Sequence, residues 1–172
     1  MTVCPNRLGL VDVASSNKLL PIRKDIVAWS EEDYIINSYP TILNGGVFLQ
    51  PLCRRIPIYR AIKVVVTGKV KIYVAFAYGS NNSSDYENIL QESAWKKEDG
   101  EITFGDTSNI KLDKIFSKIG NPPYSELPST TEDIFMLVIV VSICEGRFSA
   151  LLNYNRITSV TQNTLNRVIY LI

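Results

Sequence analysis

The chain has 172 residues, 46% of them apolar and 20% charged, with 18 basic against 17 acidic side chains and no histidine. That is long enough for one domain with its own core and too apolar for a disordered chain. The missing imidazole excludes Ser-His-Asp hydrolases, Cys-His proteases and His-ligated zinc, while a net charge of +1 gives no general pull towards nucleic acid or anionic membrane.

Residue choice favours strands: 20 Ile, 15 Val and 10 Thr stand against seven Ala, with nine Tyr besides. In chain order, short strands are expected over residues 8–13, 18–22 and 25–29. Residues 41–50 read as a hairpin, because Asn44-Gly45 readily takes the positive φ angles of a type I′ turn. Residues 62–67 and 70–78 read as a second hairpin, with Gly68 in the turn. In its second strand Val70, Ile72, Val74, Phe76 and Tyr78 share one face, and Lys69, Lys71, Tyr73, Ala75 and Ala77 share the other, the period of a half-buried strand.

Residues 79–100 read as a long loop, within which 86–92 suits one helical turn or a short strand. A strand follows at 101–104. Residues 110–119 are apolar at 110, 112, 115, 116 and 119; the last four of these fit a helix, 110 and 112 fit a strand instead, and a short helix is the expectation. Residues 120–133 hold Asn121-Pro122-Pro123 and Pro128, too many breakers for regular structure, and read as a second long loop. A third hairpin spans 134–154: an apolar strand to Ile143, a turn at Glu145-Gly146 and a return over 147–152. A strand apolar on both faces belongs in the middle of a sheet covered on both sides. Strands at 156–160 and 167–172 complete the chain. The sum is one all-β domain over residues 1–172: a single antiparallel β-sandwich of jelly-roll type, with two long loops and at most one short helix.

The longest apolar run, residues 134–141, is far short of the roughly 20 residues that span a bilayer, so no membrane span is expected. Cys4, Cys53 and Cys144 are odd in number and have no C-x-x-C spacing, which points to reduced, packed thiols rather than a metal site or a disulfide framework. The start lacks the basic and apolar regions of a signal peptide, so the overlapping sequons at Asn81-Asn82-Ser83-Ser84 carry little weight and a reducing compartment is expected.

Charge is unevenly placed. Between Tyr34 and Ser84 there is no acid, while Arg54, Arg55, Arg60, Lys63, Lys69 and Lys71 supply six positive charges. Asp85, Glu87, Glu92, Glu98, Asp99, Glu101 and Asp106 follow, against Lys96 and Lys97 alone. Two opposed patches suit head-to-tail contact between copies, or pairing within one copy. Nucleic acid is an unfavoured partner, because a pI of about 7.6 lies well below the range of such footprints.

Catalysis would fall to carboxylates. Glu31-Glu32-Asp33, Glu98-Asp99 and Glu132-Asp133 sit in polar turns, and a glycosidase would need two such groups about 5–9.5 Å apart across a cleft. Asp99-Gly100-Glu101 with Asp106 is too sparse for a calcium loop, and no phosphate-binding glycine motif or nucleophile elbow occurs. No catalytic residue, cofactor or metal is expected. Carbohydrate recognition is the other use of such a sandwich. Tyr86 and Trp95 would supply apolar platforms and Asn81 and Asn82 hydrogen bonds, although Trp95 suits equally an anchor that pins its loop, and Trp29 suits the core.

Residues 57–78, with Tyr59-Arg60 opening a strand of alternating basic and apolar residues, resemble a hairpin of picorna-like virus capsid proteins. Ala61 stands where that family carries glycine, and the tryptophan that often precedes the arginine is missing. The resemblance implies a jelly-roll virion component, made in the host cytoplasm, that packs edge to edge with copies of itself or related subunits. The expectation is therefore a non-enzymatic assembly protein. The alternative is a β-sandwich module that binds carbohydrate.

Overall fold

β5 (Val70–Tyr78) is the strand around which the molecule is arranged, and the residues of its two faces go to two different cores. The computed structural model describes residues 18–50, 62–65, 69–79, 85–105, 109–121, 124–129 and 134–143. β5 lies between β11 (Ile134–Ser142) and β9 (Lys114–Gly120) in a six-stranded sheet. β3 (Val47–Gln50) and β1 (Lys18–Pro21) extend it beyond β11, and β6 (Lys96–Glu98) closes it beyond β9. Every pairing is antiparallel, and β11 and β5 are in register over nine residues, from Ile134 opposite Tyr78 to Ser142 opposite Val70.

Successive side chains of a strand point to opposite faces. Val70, Ile72, Val74 and Phe76 of β5 therefore join Phe116, Met136 and Val140 on one side of the sheet. They pack against Tyr86 and Leu90 of α1 (Asp85–Glu92), against Trp95, and against the small sheet of β4 (Ile62–Val65) and β10 (Tyr124–Leu127). Tyr73 and Ala75 join Ile115, Leu137, Ile139 and Phe48 on the other side. There they meet Trp29 and a three-stranded sheet of β2 (Ile36–Ser38), β7 (Ile102–Phe104) and β8 (Lys111–Leu112). The all-β, antiparallel sandwich expected from residue choice is what forms, with its largest sheet covered on both faces. Burying each of these large side chains contributes about 1.5–3 kcal/mol. Trp29, fully buried, also donates its indole N–H to the Met136 carbonyl at 3.3 Å, where β11 extends past its pairing with β3.

Several local expectations are corrected. β4 and β5 are not a hairpin: β4 pairs with β10, because β9 and the long apolar β11 occupy both edges of β5. β5 is not half-buried, since Tyr73 and Ala75 on its second face are core residues too. Residues 41–50 are not a hairpin either. Thr41–Leu43 is a 3-10 turn, Asn44 has φ −55° and ψ 133°, and Gly45 has φ 75°. Those are the angles of a type II turn, closed by the Gly46 N–H on the Leu43 carbonyl at 3.0 Å; only the second central residue has positive φ. Residues 110–119 form β8 and β9 rather than a helix. Ile115 and Phe116 enter opposite cores, which adjacent residues do on a strand.

The two long loops also hold structure: residues 79–100 contain α1 and β6, and residues 120–133 contain β10. Residues 25–29 make only an isolated bridge at Val27, after a turn with Asp25 at φ 67°. The strands expected at 18–22, 101–104 and 134–143 are present as β1, β7 and β11. Those at 8–13, 147–152, 156–160 and 167–172 lie outside the described residues, as do the three cysteines and Asp106.

Candidate functional site

Tyr86 and Trp95, which suit a ligand platform in the alternative reading while Trp95 suits equally an anchor for its loop, are core residues at 0% and 3% exposure. The cause is local. α1 closes in a Schellman cap, with the Trp95 N–H on the Leu90 carbonyl at 2.9 Å and the Ala94 N–H on that of Gln91 at 3.0 Å. Ala94 takes the left-handed φ of 63° that this cap requires. Trp95 is thereby set beside Leu90 and pins the segment onto the sheet. Tyr86 donates its hydroxyl to the Pro128 carbonyl at 2.9 Å, and burial, with the neighbouring Tyr78, holds its phenol well above the usual range. Asn81 and Asn82 lie outside the described residues.

One pair of the two opposed stretches meets within the chain. Lys71 of the basic stretch reaches Glu98 of the acidic one at 3.0 Å, across the intervening β9. Ser117 donates to the same carboxylate at 2.7 Å, and Lys96 lies 3.6 Å from its other oxygen. Burial pushes the Glu98 carboxyl up, but the hydrogen bonds from Ser117 and Lys71 and the charges of Lys71 and Lys96 together bring it below its ordinary value. Lys71 mirrors this: burial lowers its amine, and the contacts with Glu98 and Tyr73 outweigh that. Lys97 pairs with Glu87 at 3.1 Å and Lys111 with Glu101 at 2.8 Å. Of the two arrangements the charge pattern allows, pairing within one copy is the one seen for Lys71 with Glu98, while Glu87 and Glu101 pair with lysines outside the basic stretch. Lys69, Asp85, Glu92 and Asp99 are exposed, while Arg54, Arg55, Arg60 and the Lys63 side chain lie outside what is described.

An open cleft of about 250 Å³ lies at one end of the sandwich. Strand register builds it: Phe135 stands opposite Ala77, Ile134 opposite Tyr78, and Phe76 opposite Lys114. The end of β5, the start of β11 and the β8–β9 corner therefore converge. Ala77, Ile110 and Phe135 give apolar lining, and the small Ala77 leaves the space open. Asn109, Lys111, Asp113 and Lys114 give polar lining, and Tyr78 completes the rim. The Tyr78 hydroxyl accepts the Glu87 backbone N–H at 3.2 Å, which ties this rim to the first turn of α1. Asp113 and Lys114 face each other at 2.9 Å, with side chains 40% and 26% exposed. Apolar walls with a few convergent polar groups are what a small polar ligand needs. Nothing in the sequence reading singled these residues out. The signal available was the alternation of Asn109, Lys111 and Asp113 with Ile110 and Leu112, the strand spacing that stood beside the helical one in the sequence.

Among the described residues no group of three or more His, Cys, Asp or Glu side chains could hold a metal ion. No helix among them is long and apolar enough to cross a membrane. No protein-family model matches the chain, and no curated protein does. Among solved structures it is similar to a β-glucuronidase from glycoside hydrolase family 2, with a TM-score of 0.53 and 10% identity. That match covers 76% of this chain and 14% of the other, and at this identity it speaks to fold alone.

Proposed function

We propose that the protein is a non-catalytic β-sandwich recognition module and that carbohydrate is the ligand of the end cleft. The observation that carries this reading is the convergence of Asn109, Lys111, Asp113 and Lys114 over apolar lining from Ala77, Ile110 and Phe135. Sugars present both C–H faces and closely spaced hydroxyls, and the cleft answers each. Its volume, below the range of drug-sized pockets, suits one sugar ring rather than an extended chain. Similarity in fold to part of a β-glucuronidase agrees with a carbohydrate-related module. Glu98 is no candidate general acid, because its carboxyl is lowered and already held by Lys71 and Ser117.

A glycan array tests this. The chain is expected to retain at least one class of glycan, and Ala77→Leu, which fills the cleft, is expected to abolish retention while the chain still unfolds cooperatively. A blank array for the unaltered chain would sink the reading.

The second reading is the self-assembling virion subunit implied by the resemblance to picorna-like capsid proteins. It is favoured by the acid-free run from Tyr34 to Ser84, in which Arg54, Arg55 and Arg60 meet no acid close in sequence. Salt-dependent association in sedimentation, lost in Arg55→Glu with the monomer still folded, would support it over the cleft.

A further inference from the structure

Resting on the reading of the end cleft as a sugar site, we infer that it selects neutral sugars bearing neighbouring hydroxyls and rejects acidic ones. Asp113 Oδ2 and Lys114 Nζ lie 2.9 Å apart, both line the cleft and both are partly open to solvent. An ionised carboxylate only accepts hydrogen bonds and an ammonium only donates them. Side by side, they match two adjacent hydroxyls of a sugar ring: one O–H donates to Asp113 while the neighbouring oxygen accepts from Lys114. The ion pair need not open for this, because each group has hydrogen-bonding capacity beyond the other. Asn109, on the same wall, can both donate and accept, as a third hydroxyl would require.

A ligand carboxylate meets the opposite situation. Lys114 is neutralised by Asp113, and Lys111 is neutralised by Glu101 at 2.8 Å, outside the cleft. No lysine of the lining therefore offers an uncommitted positive charge, and Asp113 repels a second carboxylate brought beside it. Positive side chains line this cleft without making it an anion site.

The test is a nuclear magnetic resonance titration of the 172-residue chain with methyl α-D-mannopyranoside, methyl β-D-galactopyranoside and the sodium salt of methyl β-D-glucopyranosiduronate. At least one neutral glycoside is expected to shift the amide signals of residues 109–114 and to bind about tenfold or more tighter than the acidic one, as hydrogen bonds to charged groups imply. Asp113→Ala is expected to weaken the neutral glycoside by about tenfold. Asp113→Lys is expected to reverse the preference. Asp113 is exposed, and an unchanged spectrum away from the cleft confirms folding in either variant. Equal or tighter binding of the acidic glycoside at residues 109–114 would overturn the selectivity and leave the sugar site standing. Failure of all three glycosides to shift those residues would overturn the sugar site as well.

Discussion

Ala94 sits at φ 63° in the Schellman cap of α1, where glycine is the usual occupant. The left-handed conformation costs a residue with a Cβ about 1–2 kcal/mol, and glycine gives back part of that through its more flexible unfolded chain. Ala94→Gly is therefore expected to raise stability by about 0.5–1 kcal/mol, read as a shift in the urea midpoint at constant slope. Glu98 works in the other direction. Its carboxyl is lower in the folded than in the unfolded chain, so its stabilisation is complete above the unfolded value of about 4.3 and is lost as pH falls through the folded one. Thermal unfolding of Glu98→Gln is expected to show a smaller loss of stability than the unaltered chain between neutral pH and that acid range. Equal acid sensitivity would remove the role given to this carboxylate. Neither role is visible in sequence. A tryptophan between Ala94 and Lys96, in a polar stretch, reads as platform or anchor alike, and only the capped helix turns it inward.

Elements were legible where side-chain period decided them and illegible where partner choice did. β11, apolar on both faces, goes to the sheet interior as its composition demands. β4 and β5 lie close together in the chain and still part company, because pairing partners are set by which edges remain open and not by proximity along the chain. β9 hides its alternation because both of its faces are buried, leaving an apolar spacing that a helix satisfies equally well. Gly100 is the element-level joint most exposed to test. It connects β6 of the large sheet to β7 of the three-stranded sheet, at φ 119°, and a Cβ there would lie 2.7 Å from the Pro40 Cβ. Gly100→Ala is expected to destabilise the chain by more than about 1 kcal/mol, since it adds both backbone strain and a steric clash. A stability unchanged on calorimetry would show that the joint relaxes freely.

At the scale of the whole molecule, ion pairs among the described residues join different layers and strands. Lys97 ties β6 to Glu87 of α1, and Lys71 ties β5 to Glu98 of β6. The cleft was out of reach of sequence reasoning for the same reason as the pairing: its walls come from residues 77–78, 109–114 and 135, brought together only by register.

The order of the strands also fixes an order in time. β11 separates β3 from β5 in the large sheet, yet it follows both in the chain. During synthesis, β3 and β5 leave the ribosome long before the strand that joins them, at about 5–20 residues per second. Until residue 142 emerges, each presents an unfilled hydrogen-bonding edge lined by the most apolar side chains of the protein. The nascent chain is thus at its most vulnerable to pairing with a wrong partner just before β11 emerges, and release of β11 is the step that ends that hazard.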